Sequence, residues 1–173
     1  YEGHQVVGSI NGDFYSSGGL PIGTQIVDGE ILKYSTNFST IGFSSNNEVS
    51  LGTIGYSGEV IAGSEINPIN SINNTRNNNF MVLYNSFMGS TTGTNQYGTE
   101  LLLEPIDEWK VNDTVAFIAQ TIESNQGSMT IPKGSCVLSG HGSSASFIAD
   151  NISVGDTVKI VNRIFPSVDN LTQ

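Results

Sequence analysis

Cysteine is nearly absent from this chain. Cys136 stands alone, so no disulfide can form within the sequence and no Cys-based metal-ligand spacing exists. Basic residues are scarce as well: six Lys and Arg face sixteen Asp and Glu, for a formal charge of −10. That balance argues against a nucleic-acid binder, which needs clustered cations to neutralise phosphates. It argues equally against a protein held electrostatically on an anionic membrane surface. No run approaches the ~18 apolar residues of a membrane-spanning helix. No signal-peptide pattern is visible, and a start at Tyr1 rather than Met reads as a processed or trimmed product.

Motifs for metals and cofactors are missing too. There is no HExxH, no paired Cys/His spacing, no P-loop and no EF-hand loop. No cofactor is therefore encoded by a motif, and a carboxylate-bound divalent cation is the one kind left open. With only 13% charged residues, solubility rests on Asn, Ser, Thr and Gly. This low-lysine, hydroxyl- and amide-rich composition fits a secreted or cell-surface bacterial protein.

What is present is β patterning. A chain of 173 residues is long enough for one domain with a real core and short for two, so residues 1–173 are read as a single domain. Short apolar runs recur between turn signals. Gln25 to Leu32 reads as a hairpin around Asp28-Gly29, the favoured pair for a tight type I′ turn. Strands follow at Phe38–Phe43, Glu48–Leu51 and Gly58–Ala62, then Phe80–Tyr84, Thr99–Pro105, Thr114–Glu123, Cys136–Gly140 and Thr157–Val161. Val115 to Ala119 is too continuously apolar for an edge, so that strand is central. Ser144 to Ala149 reads as a short helix with a Ser N-cap at Ser143 or Ser144. Asn67 to Asn79, with seven Asn, one Pro and one Arg, reads as a polar connection open to nicking. The predicted class is α+β, predominantly β, with mixed or antiparallel sheets and one or two short helices.

Three places could carry chemistry. Near the N-terminus, the apolar run from Val6 breaks at Asn11-Gly12, and Asp13, Phe14 and Tyr15 stand directly behind the turn. A strand tip of this kind can line a polar pocket; the alternative is a hairpin whose two rings cap the core. Residues Met88 to Tyr97 form a second feature, a loop of Gly, Ser, Thr and Asn whose hydroxyls and unhindered N–H groups suit sugar hydroxyls or phosphate oxygens. The alternative there is a plain surface loop. His141, in a glycine-rich turn after a strand, could act as a general acid or a donor to phosphate, or be bonded to backbone. Cys136, within an apolar run, reads as a buried small hydrophobe. Trp109 reads as core-edge packing, with sugar stacking as the alternative.

Several segments share an order with a known family. Asn11-Gly12-Asp13-Phe14-Tyr15, Gly19 to Gly23 and Val27 to Glu30 resemble the opening signature of the phosphodiester glycosidases. Leu83-Tyr84, Gly89 to Asn95, and Gly98 to Leu101 resemble that family's middle section, and Ile131 to Gly134 and Val137 to Gly142 its later part. The family is related to the enzyme that uncovers mannose 6-phosphate. The resemblance implies hydrolysis of the bond between an anomeric carbon and a phosphodiester, in a surface polysaccharide or other glycoconjugate. It implies a glycosyl phosphodiester as partner. Asn11, Gly12 and Phe14 would bind substrate, joined by Ser90, Thr91, Thr92 and Asn95 of the loop, with Asp13 and His141 as catalytic groups. The family's Arg-Thr-Ala and Asp-Gly-Gly-Gly-Ser segments, which would supply a phosphate-binding Arg and a second carboxylate, do not occur. The chain is therefore expected to be an interior piece of a larger catalytic domain, inactive alone, with a companion polypeptide carrying the rest as a second partner. The rival expectation is a non-catalytic carbohydrate-binding or cell-wall interaction module.

Overall fold

The computed structural model describes residues 13–16, 21–34, 38–43 and 49–165. Two small hairpins lead into one large sheet. The first hairpin joins β1 (Gln25–Val27) to β2 (Glu30–Lys33), and the second joins β3 (Thr40–Phe43) to β4 (Val49–Gly52). The first turns where the dipeptide signal lies. Asp28 and Gly29 both take positive φ, 49° and 76°, as a type I′ turn requires.

The large sheet contains β5 (Gly55–Ala62), β6 (Glu65–Ile69), β7 (Ser71–Ile72), β8 (Met81–Asn85), β9 (Thr99–Pro105), β10 (Thr114–Ser124), β11 (Cys136–Gly140) and β12 (Thr157–Phe165). Its spatial order is β6-β5-β12-β10-β9-β11-β8-β7, antiparallel except for the parallel β7–β8 pair. β6 and β7 lie at opposite ends of that order, yet only Asn70 separates them in sequence. Asn70 N–H donates to the Met81 carbonyl and Met81 N–H donates to Asn70 Oδ1, both at 2.8 Å. The sheet is thus nearly closed into a barrel, which removes most of its open edge.

Closure explains the burial pattern. Val60, Leu101, Leu103, Phe117, Leu138 and Ile160 point inward and form the main core. β8 and β11 are buried along their whole length because both faces are covered. Val82, Tyr84 and Val137 face the other way and pack under Met129 and Ile131 in a second, smaller cluster. β10 lies inside the sheet between β12 and β9, the central position its apolar run predicts. Trp109 is half-buried with its ring edge-on to Phe117, centroids 5.0 Å apart, so it packs on the core margin.

Two expectations need correction. Asn67 to Asn79 is not wholly a connection, since its first part completes β6 and forms β7. The polar side chains there serve barrel closure and docking, a use that composition does not display. The helix α1 (Ser143–Asn151), one short helix among the described residues, lacks a Ser cap. Its N-cap residue is Gly142, and the capping acceptor comes from afar: Asn79 Oδ1 receives the Ser143 N–H at 3.2 Å.

Candidate functional site

The loop that follows β8 is fixed at several points. Thr92 N–H donates to the Met129 carbonyl at 3.0 Å, and Ile131 N–H donates to the Ser90 carbonyl at 2.9 Å. A single bridge joins Thr91 to Thr130. Ser128 N–H donates to Thr94 Oγ1 at 3.2 Å and Ser128 Oγ to the Thr94 carbonyl at 3.1 Å. Beneath lies Glu100, wholly buried on β9. One carboxylate oxygen accepts from Thr94 Oγ1 and the other from Met129 N–H, each at 2.9 Å. A buried carboxylate is tolerated only when its oxygens are satisfied, and these two bonds clamp both strands of the loop system at once.

Arg76 closes the loop from the other side. Nη1 donates to Ser139 Oγ, and Nη2 donates to both the carbonyl and Oδ1 of Asn95, all at 2.8 Å. Gly98 makes room for it, because a side chain there would collide with the guanidinium and with the Gly140 carbonyl. No carboxylate among the described residues forms an ion pair with Arg76; the one recorded pair is Arg163 with Glu59. Its Nε is buried without a hydrogen-bond partner.

Arg76 lines a cleft of about 210 Å³ with Asn74, Thr75, Tyr84, Met88, Thr92, Gly93, Thr94 and Asn95. Tyr84 Oη donates to the Asn74 carbonyl at 2.5 Å. Burial, opposed by Arg76 and reinforced by Glu100, pushes the phenol up to about 12, so it keeps its proton. The cleft lining thus contains one cation, the hydroxyls of Thr75, Tyr84, Thr92 and Thr94, and the amides of Asn74 and Asn95. None of its lining residues is a carboxylate.

The predicted site residues among the described ones separate into three places: the loop, the Asp13 hairpin and the turn at His141. Thr92 and Asn95 line the cleft; Ser90 and Thr91 pin the loop by backbone pairing. Asp13 does not line it. Its Oδ1 accepts from Phe14 N–H and its Oδ2 from Gly23 N–H, both at 2.7 Å, so the carboxylate ties a small hairpin together. Phe14 and Tyr15 are each 75% exposed, which overturns the alternative that they cap the core. Asn11 and Gly12 lie outside the described residues. His141 follows β11 directly; its N–H donates to the Phe80 carbonyl at 3.0 Å, and its Nδ1 is buried without a partner. Cys136 is fully buried, and burial with the nearby Glu30 charge raises its thiol well above the ordinary value, leaving it inert.

No family model matches this chain, and no curated protein does. Among solved structures, a protein from Synechocystis described as hypothetical aligns with a TM-score of 0.61 and 16% identity. That alignment covers 90% of this chain and 28% of the other. A protein from Burkholderia pseudomallei K96243, provisionally described as exported, aligns at 0.56 and 15% identity, over 87% of this chain and 34% of its own. The likeness is one of fold. This chain spans about a third or less of either neighbour's length.

Sequence reasoning missed Arg76 and Glu100. A signal existed for each: a lone Arg inside an Asn-rich stretch of an acidic chain, and an acidic residue directly before the apolar run Leu101-Leu102-Leu103. Among the described residues no group of three or more His, Cys, Asp or Glu could hold a metal ion, and no helix is long and apolar enough to cross a membrane.

Proposed function

We propose that this chain supplies the ligand-binding wall of a hydrolase for glycosyl phosphodiesters, acting on a secreted or surface polysaccharide or glycoconjugate. The observation that carries the reading is the Ser90–Asn95 loop. It is not a loose surface connection: Glu100, Met129 and Arg76 hold it so that hydroxyls and a guanidinium share one cleft. Hydroxyls and amides in fixed positions suit sugar recognition, and a cation beside them suits a phosphodiester. Hydrolysis of a glycosidic bond ordinarily uses two carboxyl groups flanking it. Asp13 and the carboxylate implied by the family resemblance remain the candidates for that pair, with His141 as an alternative proton donor.

A second reading is a carbohydrate-binding module without turnover, favoured by the absence of a carboxylate from the cleft lining. Incubation with an N-acetylglucosamine 1-phosphodiester separates the two. The expected outcome for this chain alone is binding without release of reducing sugar. Turnover that vanishes in Asp13→Asn would place Asp13 in the reaction. A panel of sugar 1-phosphates and their diesters that shows no binding at all would remove the proposal.

A further inference from the structure

We infer that Arg76 makes the cleft an oxyanion site, which takes the phosphoryl oxygens of a ligand rather than its sugar ring. This deepens the reading above and shares its cleft, but it does not require turnover.

The chain contains two arginines in a molecule of net charge −10. Arg163 is neutralised by Glu59 at 2.8 Å on the outer sheet surface. Arg76 is half-buried and has neutral oxygens as partners: a hydroxyl, a carbonyl and a side-chain amide. A guanidinium removed from water without an opposing carboxylate loses solvation that its protein partners return only in part. Glu100 lies beneath the loop but makes no ion pair with Arg76, so the guanidinium is the one charged group on the cleft lining.

The geometry directs that potential. Asn95 and Ser139 grip the fork from two sides, and Gly98 provides the space for the guanidinium to lie where it does. The orientation is set before any ligand arrives, which lowers the entropy cost of binding. Thr94 spends its hydroxyl proton on Glu100 and accepts from Thr92 Oγ1 at 3.1 Å, so this wall of the cleft is stiff and the guanidinium is its charged donor. The guanidinium keeps its Nε–H and one Nη1 proton unspent, and a guanidinium matches phosphoryl oxygens better than it matches a neutral sugar.

Calorimetric titration of the whole chain with inorganic phosphate, an N-acetylhexosamine 1-phosphate and the matching neutral methyl glycoside tests this. Both phosphate compounds are expected to bind and the neutral glycoside to bind at least about tenfold more weakly than the sugar phosphate. Arg76→Gln should weaken inorganic phosphate at least about tenfold, and Arg76→Lys should fall between, keeping charge but losing the fork. Equal affinity for inorganic and sugar phosphate would keep the oxyanion site and sink the sugar-phosphodiester reading. Phosphate binding unchanged in Arg76→Gln, or no phosphate binding by the native chain, would overturn the inference. Should Arg76→Gln fail to fold, modification of the native chain by phenylglyoxal decides. Phosphate must slow the reaction at Arg76 and leave Arg163 unaffected, and equal slowing or none at Arg76 would contradict it.

Discussion

The two regions that resemble one family's signature are built on different principles. At the Asp13 hairpin, both carboxylate oxygens are taken by backbone N–H groups, and the neighbouring rings stand in solvent. At the Ser90–Asn95 loop, the order is reversed. There Glu100 and the β-sheet hold the loop, and Arg76 is gripped by Ser139 and Asn95 yet lines the cleft with its Nε–H unpartnered. A polar residue ready to meet a ligand is one held in place with a donor still unspent. By that measure the loop is the better-prepared wall.

The largest expected effect breaks the better-prepared side. Glu100→Ala leaves Met129 N–H and the Thr94 hydroxyl without their buried acceptor, and should cost about 3 kcal/mol in urea denaturation. Glu100→Gln keeps an acceptor and should cost markedly less. A loss in Glu100→Ala no larger than that of a surface substitution would show that the loop does not depend on this clamp.

The next change separates the hairpins from the barrel. Asn73 and Asn85 form a buried pair at 2.6 Å, and their amides donate to the carbonyls of Leu32 and Ile31 on β2. Asn73→Ala removes this attachment and the residue best suited to its φ of 47°, at about 2 kcal/mol. Hydrogen exchange should accelerate in β1 and β2 while β9 and β11 stay protected. Equal acceleration in all four strands would mean that the hairpin and barrel unfold as one unit.

A pH effect of intermediate size comes from Glu30 beside that pair. Burial pushes its carboxyl from 4.5 up to about 7, and the hydrogen bond with Asn85 offsets part of the rise. The folded state therefore favours the protonated acid more than the unfolded chain does. Its contribution is fully present below about 4.5 and is lost as pH climbs toward about 7. Glu30→Gln should flatten that decline in thermal unfolding. An identical slope in the variant would assign the decline to other groups.

The smallest effect belongs to Asp13. Its two bonds to N–H groups lie in an exposed hairpin, so Asp13→Ala should cost less than about 1 kcal/mol and leave ligand binding at the loop unchanged. Loss of binding in that variant would join the two regions into one site.

Much of the fold was legible because its signals are local. Asp28-Gly29 carries its own turn geometry, and the apolar runs of β8, β9, β10 and β11 end where Asn, Pro or Gly stops them. Barrel closure was not legible. It depends on Asn70 bonding to Met81 across the ends of the sheet, and an asparagine in an Asn-rich stretch looks like solvent-facing loop. The cap of α1 was hidden for the same reason, since Asn79 reaches it through tertiary structure. At the site, the loop's chemistry could be read from its hydroxyls. Its partners could not, because Arg76, Ser139 and Glu100 come from three separate parts of the chain.

The central claim is that the chain alone holds its ligand at the loop, with the Asp13 hairpin adding no binding contact of its own. Amide chemical-shift mapping during titration with an N-acetylhexosamine 1-phosphate tests it most directly. The account predicts that shifts concentrate on Thr92 to Asn95, Arg76 and Gly98, with Phe14 and Gly23 unmoved. Shifts at Asp13, Phe14 and Gly23 with a silent loop would contradict it.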